Sequence, residues 1–195
     1  MIPPFVGQLM LMGTAATVAL ALIAGIVGLL SGQRRIVEIS LAVSGLVVLV
    51  YTLGWGGTLL AARYRVLAPG EEVSFCGLDC HLHVSVAKVE RTRGLGVTVR
   101  FRSDAKVALE YPSELWIGVV DRTGREYLPS DGVIAEPLRA GETMERELHF
   151  ALPAEAAEPR LIVTWKGGID YLVPGEGNPL VQRRSSLALV GPAKV

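Results

Sequence analysis

Both cysteines of the chain and two of its three histidines lie in one segment of eight residues, CGLDCHLH. The thiols belong to Cys76 and Cys80, and the imidazoles to His81 and His83. Thiolate and imidazole are ligands that zinc and copper accept. A cysteine pair outside the cytosol usually forms a disulfide instead. The chemistry of this segment therefore depends on the compartment in which it lies.

Four interpretations of the segment are open. The turn-prone GLD between the cysteines favours a disulfide from Cys76 to Cys80, because it lets the chain fold back. A metal site needs four converging ligands, whereas strand alternation places His81 and His83 on one face and Cys80 on the other. Haem attachment uses C-x-x-C-H, and one further residue separates the cysteines here. Two free thiols are the fourth interpretation. We predict the disulfide, no resident metal and no catalytic residue.

Two apolar stretches precede this segment and decide where it lies. They cover residues 6–30 and 36–61, and each is long enough to cross the roughly 30 Å hydrocarbon core of a bilayer as a helix. The link of residues 31–35 is so short that the two helices must be adjacent and antiparallel. We therefore predict a transmembrane hairpin over residues 1–62.

Charge placement predicts the orientation of the hairpin. The link carries Arg34 and Arg35, which the positive-inside rule places in the cytoplasm, and the opening MIPPFVGQ has no Lys or Arg. Arg63 and Arg65 follow the second span and favour the opposite orientation. We expect a bacterial inner-membrane protein with both termini and the following domain on the periplasmic side, where a disulfide forms.

Small residues recur along both predicted helices at spacings that allow helix backbones to approach closely. They are Gly13, Thr17, Ala21 and Gly25 in the first span, Ser40 and Ser44 in the second, and the GWGG run of Gly54, Trp55, Gly56 and Gly57. They suit packing of the hairpin on itself, or packing on foreign helices or a flat cofactor. Three glycines in four residues also indicate a kink or a helix end. We expect no bound cofactor beyond contact with a lipid tail or a pigment.

From residue 63 to residue 174 the apolar residues alternate, as they do in half-buried strands. HLHVSVAKV, GVTVRFRS, ERELHFALP and RLIVTWKG show this period of two, and DRTGRE is typical of a hairpin turn. Short strands of even spacing with turns between them predict an antiparallel β-sandwich. Residues 175–195 are rich in Pro, Gly and Ser, and we predict an extended tail there.

A family resemblance accompanies this pattern. FCGLDCHLHVSVAKVERT, DRTGREYLPS and LRAGE resemble a bacterial family of membrane-tethered, extracytoplasmic, immunoglobulin-like (telokin-like) domains of unassigned role. The resemblance covers Tyr64 to Val173 and implies an immunoglobulin-like fold there. With the predicted hairpin, the expected fold is a two-helix transmembrane hairpin followed by an all-β immunoglobulin-like antiparallel sandwich. The resemblance also implies binding or scaffolding, and it transfers no catalytic residue.

Function has to be inferred mainly from architecture. The chain has no nucleotide-binding loop, no G-x-S-x-G and no H-E-x-x-H, and its zero net charge gives no footprint for nucleic acid. The layout is similar to accessory subunits of bacterial photosynthetic reaction-centre and antenna assemblies or of respiratory complexes. We therefore expect a non-catalytic subunit that packs beside an integral membrane complex in the bilayer and braces its periplasmic face.

Two alternatives belong to other classes. One is a periplasmic copper-handling or electron-transfer protein that uses Cys76, Cys80, His81 and His83. The dinuclear copper site of cytochrome oxidase subunit II does not fit, because Val84 and Ala87 stand where that site needs His and Met. The other alternative is a membrane-anchored binding or sensor module.

Overall fold

The structure is a computed structural model that describes residues 2–76, 80–91, 94–131, 134, 136–153 and 155–189, without the side chains of Cys76 and Cys80. It begins with two long helices, α1 (Pro4–Leu30) and α2 (Arg34–Ala61), which pack side by side. Both are long and apolar enough to cross a bilayer, and their most apolar stretches are almost entirely unburied within the protein. Core helices of a soluble domain would instead be covered by other elements.

The helix ends agree with the predicted spans to within two residues. Pro4 occupies the first turn of α1, and Gly32 adopts a φ of 70° in the link that reverses the chain. Arg34 and Glu38 form an ion pair at 2.9 Å on the first turn of α2. The GWGG run does not end the helix, since α2 continues through it to Ala61, as the predicted span of residues 36–61 requires. Packing of the last turns against the following domain outweighs the low helix propensity of glycine there.

The described residues then form nine strands: β1 (Arg65–Leu67), β2 (Val73–Cys76), β3 (Cys80–Arg91), β4 (Leu95–Ser103), β5 (Leu115–Val120), β6 (Glu126–Tyr127), β7 (Thr143–Phe150), β8 (Arg160–Trp165) and β9 (Ser185–Ala188). One sheet has the order β2-β3-β4-β7 and is antiparallel throughout. The other has the order β1-β9-β8-β5-β6 and is mixed, because β1 pairs in parallel with β9. The prediction of a fully antiparallel sandwich is therefore wrong for the second sheet.

The two sheets enclose one hydrophobic core. The predicted alternation places Leu82, Val84 and Val86 of β3 inside, with His81 and His83 on the opposite face. Phe75 of one sheet meets Trp165 of the other edge-to-face, with ring centroids 5.8 Å apart. Other residues of the core come from both sheets: Val97, Val99, Phe101, Val119, Leu148, Phe150, Leu161, Val163 and Leu187. Because both sheets contribute to this core, the β-domain is a single folded unit beside the hairpin.

The predicted extended tail is also wrong for residues 175–189. After β8 the chain forms a 3₁₀ turn (Gly168–Leu172), the short helix α3 (Pro179–Gln182) and then β9. β9 inserts between β1 and β8, and its Leu187 is buried in the core. The composition of this segment is that of a loose tail, but long-range pairing and apolar burial order it. Residues 190–195 lie outside the described part of the chain.

The turn between β5 and β6 is built around one carboxylate. Oδ1 of Asp121 accepts hydrogen bonds from the Thr123 hydroxyl at 2.6 Å and from the amides of Thr123 and Arg125 at 2.8 and 3.0 Å. Its Oδ2 accepts from the Tyr127 hydroxyl at 2.9 Å. These donors, the Thr123 hydroxyl first, lower the pKa of Asp121 from 3.8 to about 2.

This carboxylate gives the β-domain an acid-dependent contribution to stability. Because the folded-state pKa lies below the ordinary value, the contribution is complete above about pH 4 and is lost as the pH falls towards 2. We expect Asp121→Asn to lower the unfolding midpoint at pH 6, with the difference from wild type shrinking as the pH approaches 2. Denaturant unfolding of the wild-type chain and of the Asp121→Asn variant between pH 2 and pH 6 measures this difference in midpoint. A difference independent of pH would contradict the assignment.

Candidate functional site

The best-defined polar site lies where the hairpin meets the β-domain. Residues 168–184, called the junction segment below, connect β8 to β9 and pack against the first residues of α1 and the last third of α2. Its contacts come from the backbone, from buried polar side chains and from two glycines. They determine how the β-domain is oriented on the helices.

Two glycines allow the backbones to touch. A Cβ on Gly7 of α1 would lie 2.1 Å from the carbonyl oxygen of Pro174. Gly175 has a φ of 95°, and a Cβ there would lie 2.2 Å from the carbonyl oxygen of Ile2. The amide of Glu176 donates to that same oxygen at 3.1 Å. Any larger residue at Gly7 or Gly175 would force the chain start away from the junction segment.

Three side chains on one face of α2 hold the junction segment from the other side. The indole Nε1 of Trp55 donates to the carbonyl of Tyr171 at 3.0 Å, and the hydroxyl of Tyr51 donates to the carbonyl of Leu172. The hydroxyl oxygen of Thr58 accepts from the amide of Gly175 at 3.2 Å. Residues separated by three or four positions share a helix face, so these side chains form a single row of contacts.

Asn178 organises the junction segment from within. Its side chain is fully buried, and its Nδ2 donates to the carbonyls of Tyr171 and Val173 at 2.8 and 2.9 Å. Its Oδ1 accepts from the amide of Leu180 at 2.9 Å, which caps α3. One amide group therefore joins the 3₁₀ turn to α3.

The far end of the junction segment is tied to the exit of α2. The guanidinium of Arg184 donates to the carbonyl of Ala62 and lies over the ring of Tyr64, 5.6 Å from its centroid. The amide of Arg65 donates to the carbonyl of Arg184 at 2.8 Å, next to the pairing of β1 with β9. These contacts tie the segment between α2 and β1 to the end of the junction segment that precedes β9.

The predicted small-residue positions fall into two groups. Ala21 and Ser40 are buried where the helices touch, and a Cβ on Gly25 would lie 3.5 Å from Cβ of Ser40. The second group faces outward: at Gly13, Gly56 and Gly57 a Cβ would meet no described atom within 4 Å. Thr17 bonds the carbonyl of Gly13 at 2.8 Å, Ser44 lines a groove between the helices, and Gly54 lies near Met10. Self-packing of the hairpin therefore accounts for Ala21, Gly25, Ser40 and Gly54, but not for the three outward-facing glycines.

The predicted cysteine site lies only partly within the described residues. Cys76 and Cys80 are register partners where β2 meets β3, next to a bulge. Their side chains and residues 77–79 lie outside the description, so the disulfide stays a prediction.

His83 belongs to an ion-pair cluster on the outer face of the four-stranded sheet. Its Nδ1 lies 3.0 Å from the hydroxyl of Ser74, and its Nε2 lies 2.9 Å from a carboxylate oxygen of Asp104, out of hydrogen-bond alignment. Arg102 donates to Glu72 at 2.7 Å, and this bond holds the pKa of Glu72 below its ordinary value. His81 lies on the same strand face, and its carbonyl accepts from the amide of Asp104. Because protein groups already surround the His83 ring, this half of the site does not favour copper binding.

Comparisons of the chain with protein-family models, with curated proteins and with solved structures found no match. The junction is therefore interpreted from its own geometry. Tyr51 and Trp55 are residue types common at the headgroup boundary, but the sequence does not indicate their partners. The one available signal was the Asn-Pro pair at 178–179, which is typical of a helix start.

Proposed function

We propose that this chain is a non-catalytic accessory subunit of a larger membrane complex. Its helices cross the bacterial inner membrane, and its β-domain braces the periplasmic face of the host. The observation that supports this proposal is the junction, where Tyr51, Trp55 and Thr58 of α2 bond directly to the junction segment. A brace transmits force only if its outer part has a fixed orientation on its membrane part. A flexible linker would leave that orientation undefined.

The surface of the hairpin supports a partner within the bilayer. The apolar faces of α1 and α2 are exposed along their whole length, and lipid or foreign helices must cover them. The outward-facing Gly13 and Gly57 leave room for a closely packed helix. We keep the topology with both termini in the periplasm, because Arg34 and Arg35 occupy the link between the spans.

The proposal extends to the family of the β-domain and to the class of the host complex. The two-sheet domain after a helical hairpin suits the immunoglobulin-like, membrane-tethered family that the sequence resembles. A photosynthetic or respiratory complex is the host that this layout suits best. Scaffolding is the role that both resemblances share.

Affinity purification in mild detergent tests the proposal. We expect the full-length chain to bring down a membrane protein in stoichiometric amount. Gly7→Ala, which separates α1 from Pro174, is expected to reduce that recovery several-fold, because the brace loses its orientation. Glu176→Ala is the matched control, since this exposed side chain lies in the same segment. Recovery of the wild-type chain alone, with no stable partner, would contradict the accessory role.

A further inference from the structure

The depth of the junction along α2 can be read from helix geometry. α2 has 28 residues and is roughly 42 Å long at 1.5 Å per residue, whereas the hydrocarbon core is roughly 30 Å thick. Arg34, Arg35 and Glu38 lie at the first end and must stay outside that core. Twenty residues counted from Ile39, the first residue after Glu38, end at Thr58. Trp55 therefore lies about 5 Å inside the outer edge of the core, within one helical turn of it.

The 3₁₀ turn Gly168–Leu172 lies beside that edge. Trp55 and Tyr51 bond to the carbonyls of Tyr171 and Leu172, so the turn is at the level of these two side chains and not above the helix end. Tyr51 is ten residues before Ala61, about 15 Å back along the axis. The turn thus extends from the β-domain back along α2 towards the bilayer.

The carbonyls at the end of the turn are paired with donors, as a water-poor environment requires. The carbonyl of Tyr171 receives both Trp55 Nε1 and Asn178 Nδ2, and the carbonyl of Val173 also receives Asn178. With Leu172 bonded to Tyr51, three successive carbonyls have side-chain donors. Unpaired carbonyls cost several kcal/mol in hydrocarbon but little in water.

The two most exposed side chains of the turn are apolar, and Tyr171 is 38% exposed. Ile169 and Leu172 are 68% and 53% exposed, and Leu180 at the start of α3 is 42% exposed. Burial raises the pKa of the one carboxyl in the turn, Asp170, with the charge of Glu114 as a second cause. The apolar patch is continuous with the exposed faces of the helices, because Leu172 adjoins Tyr51 of α2.

We propose that the 3₁₀ turn Gly168–Leu172, together with Leu180, is a bilayer-contacting loop whose Ile169 and Leu172 side chains enter the outer leaflet at the boundary between headgroups and acyl chains. The occupant of this patch is lipid, and the loop sets the height and tilt of the β-domain above the membrane. The inference rests on the membrane-spanning hairpin of the proposed function. It goes further by assigning a second membrane contact to the β-domain itself.

Depth-dependent quenching tests this proposal on the full-length chain in phosphatidylcholine vesicles. p-Acetylphenylalanine replaces one residue at a time, at Ile169, Leu172, Leu20 or Arg122. An environment-sensitive dye is attached to its ketone, so that the native cysteines stay unlabelled. Arg122, in the turn after β5, is the aqueous control, and Leu20, in the middle of α1, is the control for spanning. We expect 5-doxyl lipid to quench the dyes at Ile169 and Leu172 at least threefold more than the dye at Arg122, with blue-shifted emission.

The outcomes distinguish failure of the loop contact from failure of the spanning hairpin. A dye at Leu20 that 12-doxyl lipid quenches, beside dyes at Ile169 and Leu172 that behave like the one at Arg122, would overturn the loop contact and leave the spanning hairpin intact. A dye at Leu20 that neither doxyl lipid quenches would overturn the spanning hairpin, and the loop contact with it. Unchanged thermal unfolding of each labelled chain shows that the labels report on the native fold.

Discussion

Gly7→Ala is expected to open the junction while leaving the β-domain folded. The new Cβ would lie 2.1 Å from the carbonyl oxygen of Pro174, a backbone atom that cannot rotate away as a side chain does. Overpacking of this kind costs about 2–3 kcal/mol, which raises the population of the open junction by one to two orders of magnitude. Hydrogen exchange measured by mass spectrometry is expected to show this acceleration at the amides of Gly175 and Glu176, which donate to Thr58 and Ile2.

Gly13→Ala is the matched control for this prediction. Gly13 lies on the same helix, and a Cβ there would meet no described atom within 4 Å. Alanine at this position is expected to keep the junction protected and to stabilise α1 by up to about 1 kcal/mol through helix propensity. Exchange in Gly7→Ala as slow as in Gly13→Ala would show that α1 does not hold the junction segment.

Asn178→Ala is expected to destabilise the folded chain by roughly 3 kcal/mol. The carbonyl of Val173 loses its side-chain donor, whereas the carbonyl of Tyr171 keeps the indole of Trp55. An unpaired buried carbonyl costs about 1–3 kcal/mol, and the lost cap at Leu180 costs about 1 kcal/mol more. For a chain of this size the unfolding temperature should fall by roughly 10 °C, measured by tryptophan fluorescence in nanodiscs.

Two further variants sharpen this measurement. Glu176→Ala changes an exposed side chain two residues away and should stay within about 0.5 kcal/mol of wild type. Asn178→Asp keeps the oxygen that caps Leu180 but loses both donors and buries a charge, so it should not restore stability. An alanine variant at Asn178 as stable as Glu176→Ala would show that this side chain does not organise the junction segment.

The helices and most strands could be predicted from sequence because their signals are local. Apolar length predicts α1 and α2 to within two residues, and strict alternation predicts the inward face of β3. The placement of β9 could not be predicted, because its four residues gain their stability from β1, about 120 residues earlier in the chain, and from β8. Strand propensity in so short a segment carries little information without its partners.

The contacts of the junction could not be predicted from sequence for a related reason. Trp55 and Tyr51 are residue types common at a membrane boundary, which gives no information on what they bond. Their donors point at carbonyls of Tyr171 and Leu172, and backbone carbonyls leave no trace in a sequence. Gly7 and Gly175 have the same property, since a close backbone approach selects glycine without indicating what approaches.

A distance measurement across the junction tests the central claim, that the β-domain is rigidly mounted on the hairpin. Nitroxides on p-acetylphenylalanine at Leu49 of α2 and at Arg122 of the outer turn report this distance by double electron–electron resonance in nanodiscs. We predict one narrow distance distribution for the otherwise unmodified chain and a broad one when Gly7→Ala is added. A broad distribution in the chain without Gly7→Ala, unchanged when that substitution is added, would show that the β-domain is loosely tethered and would contradict the account.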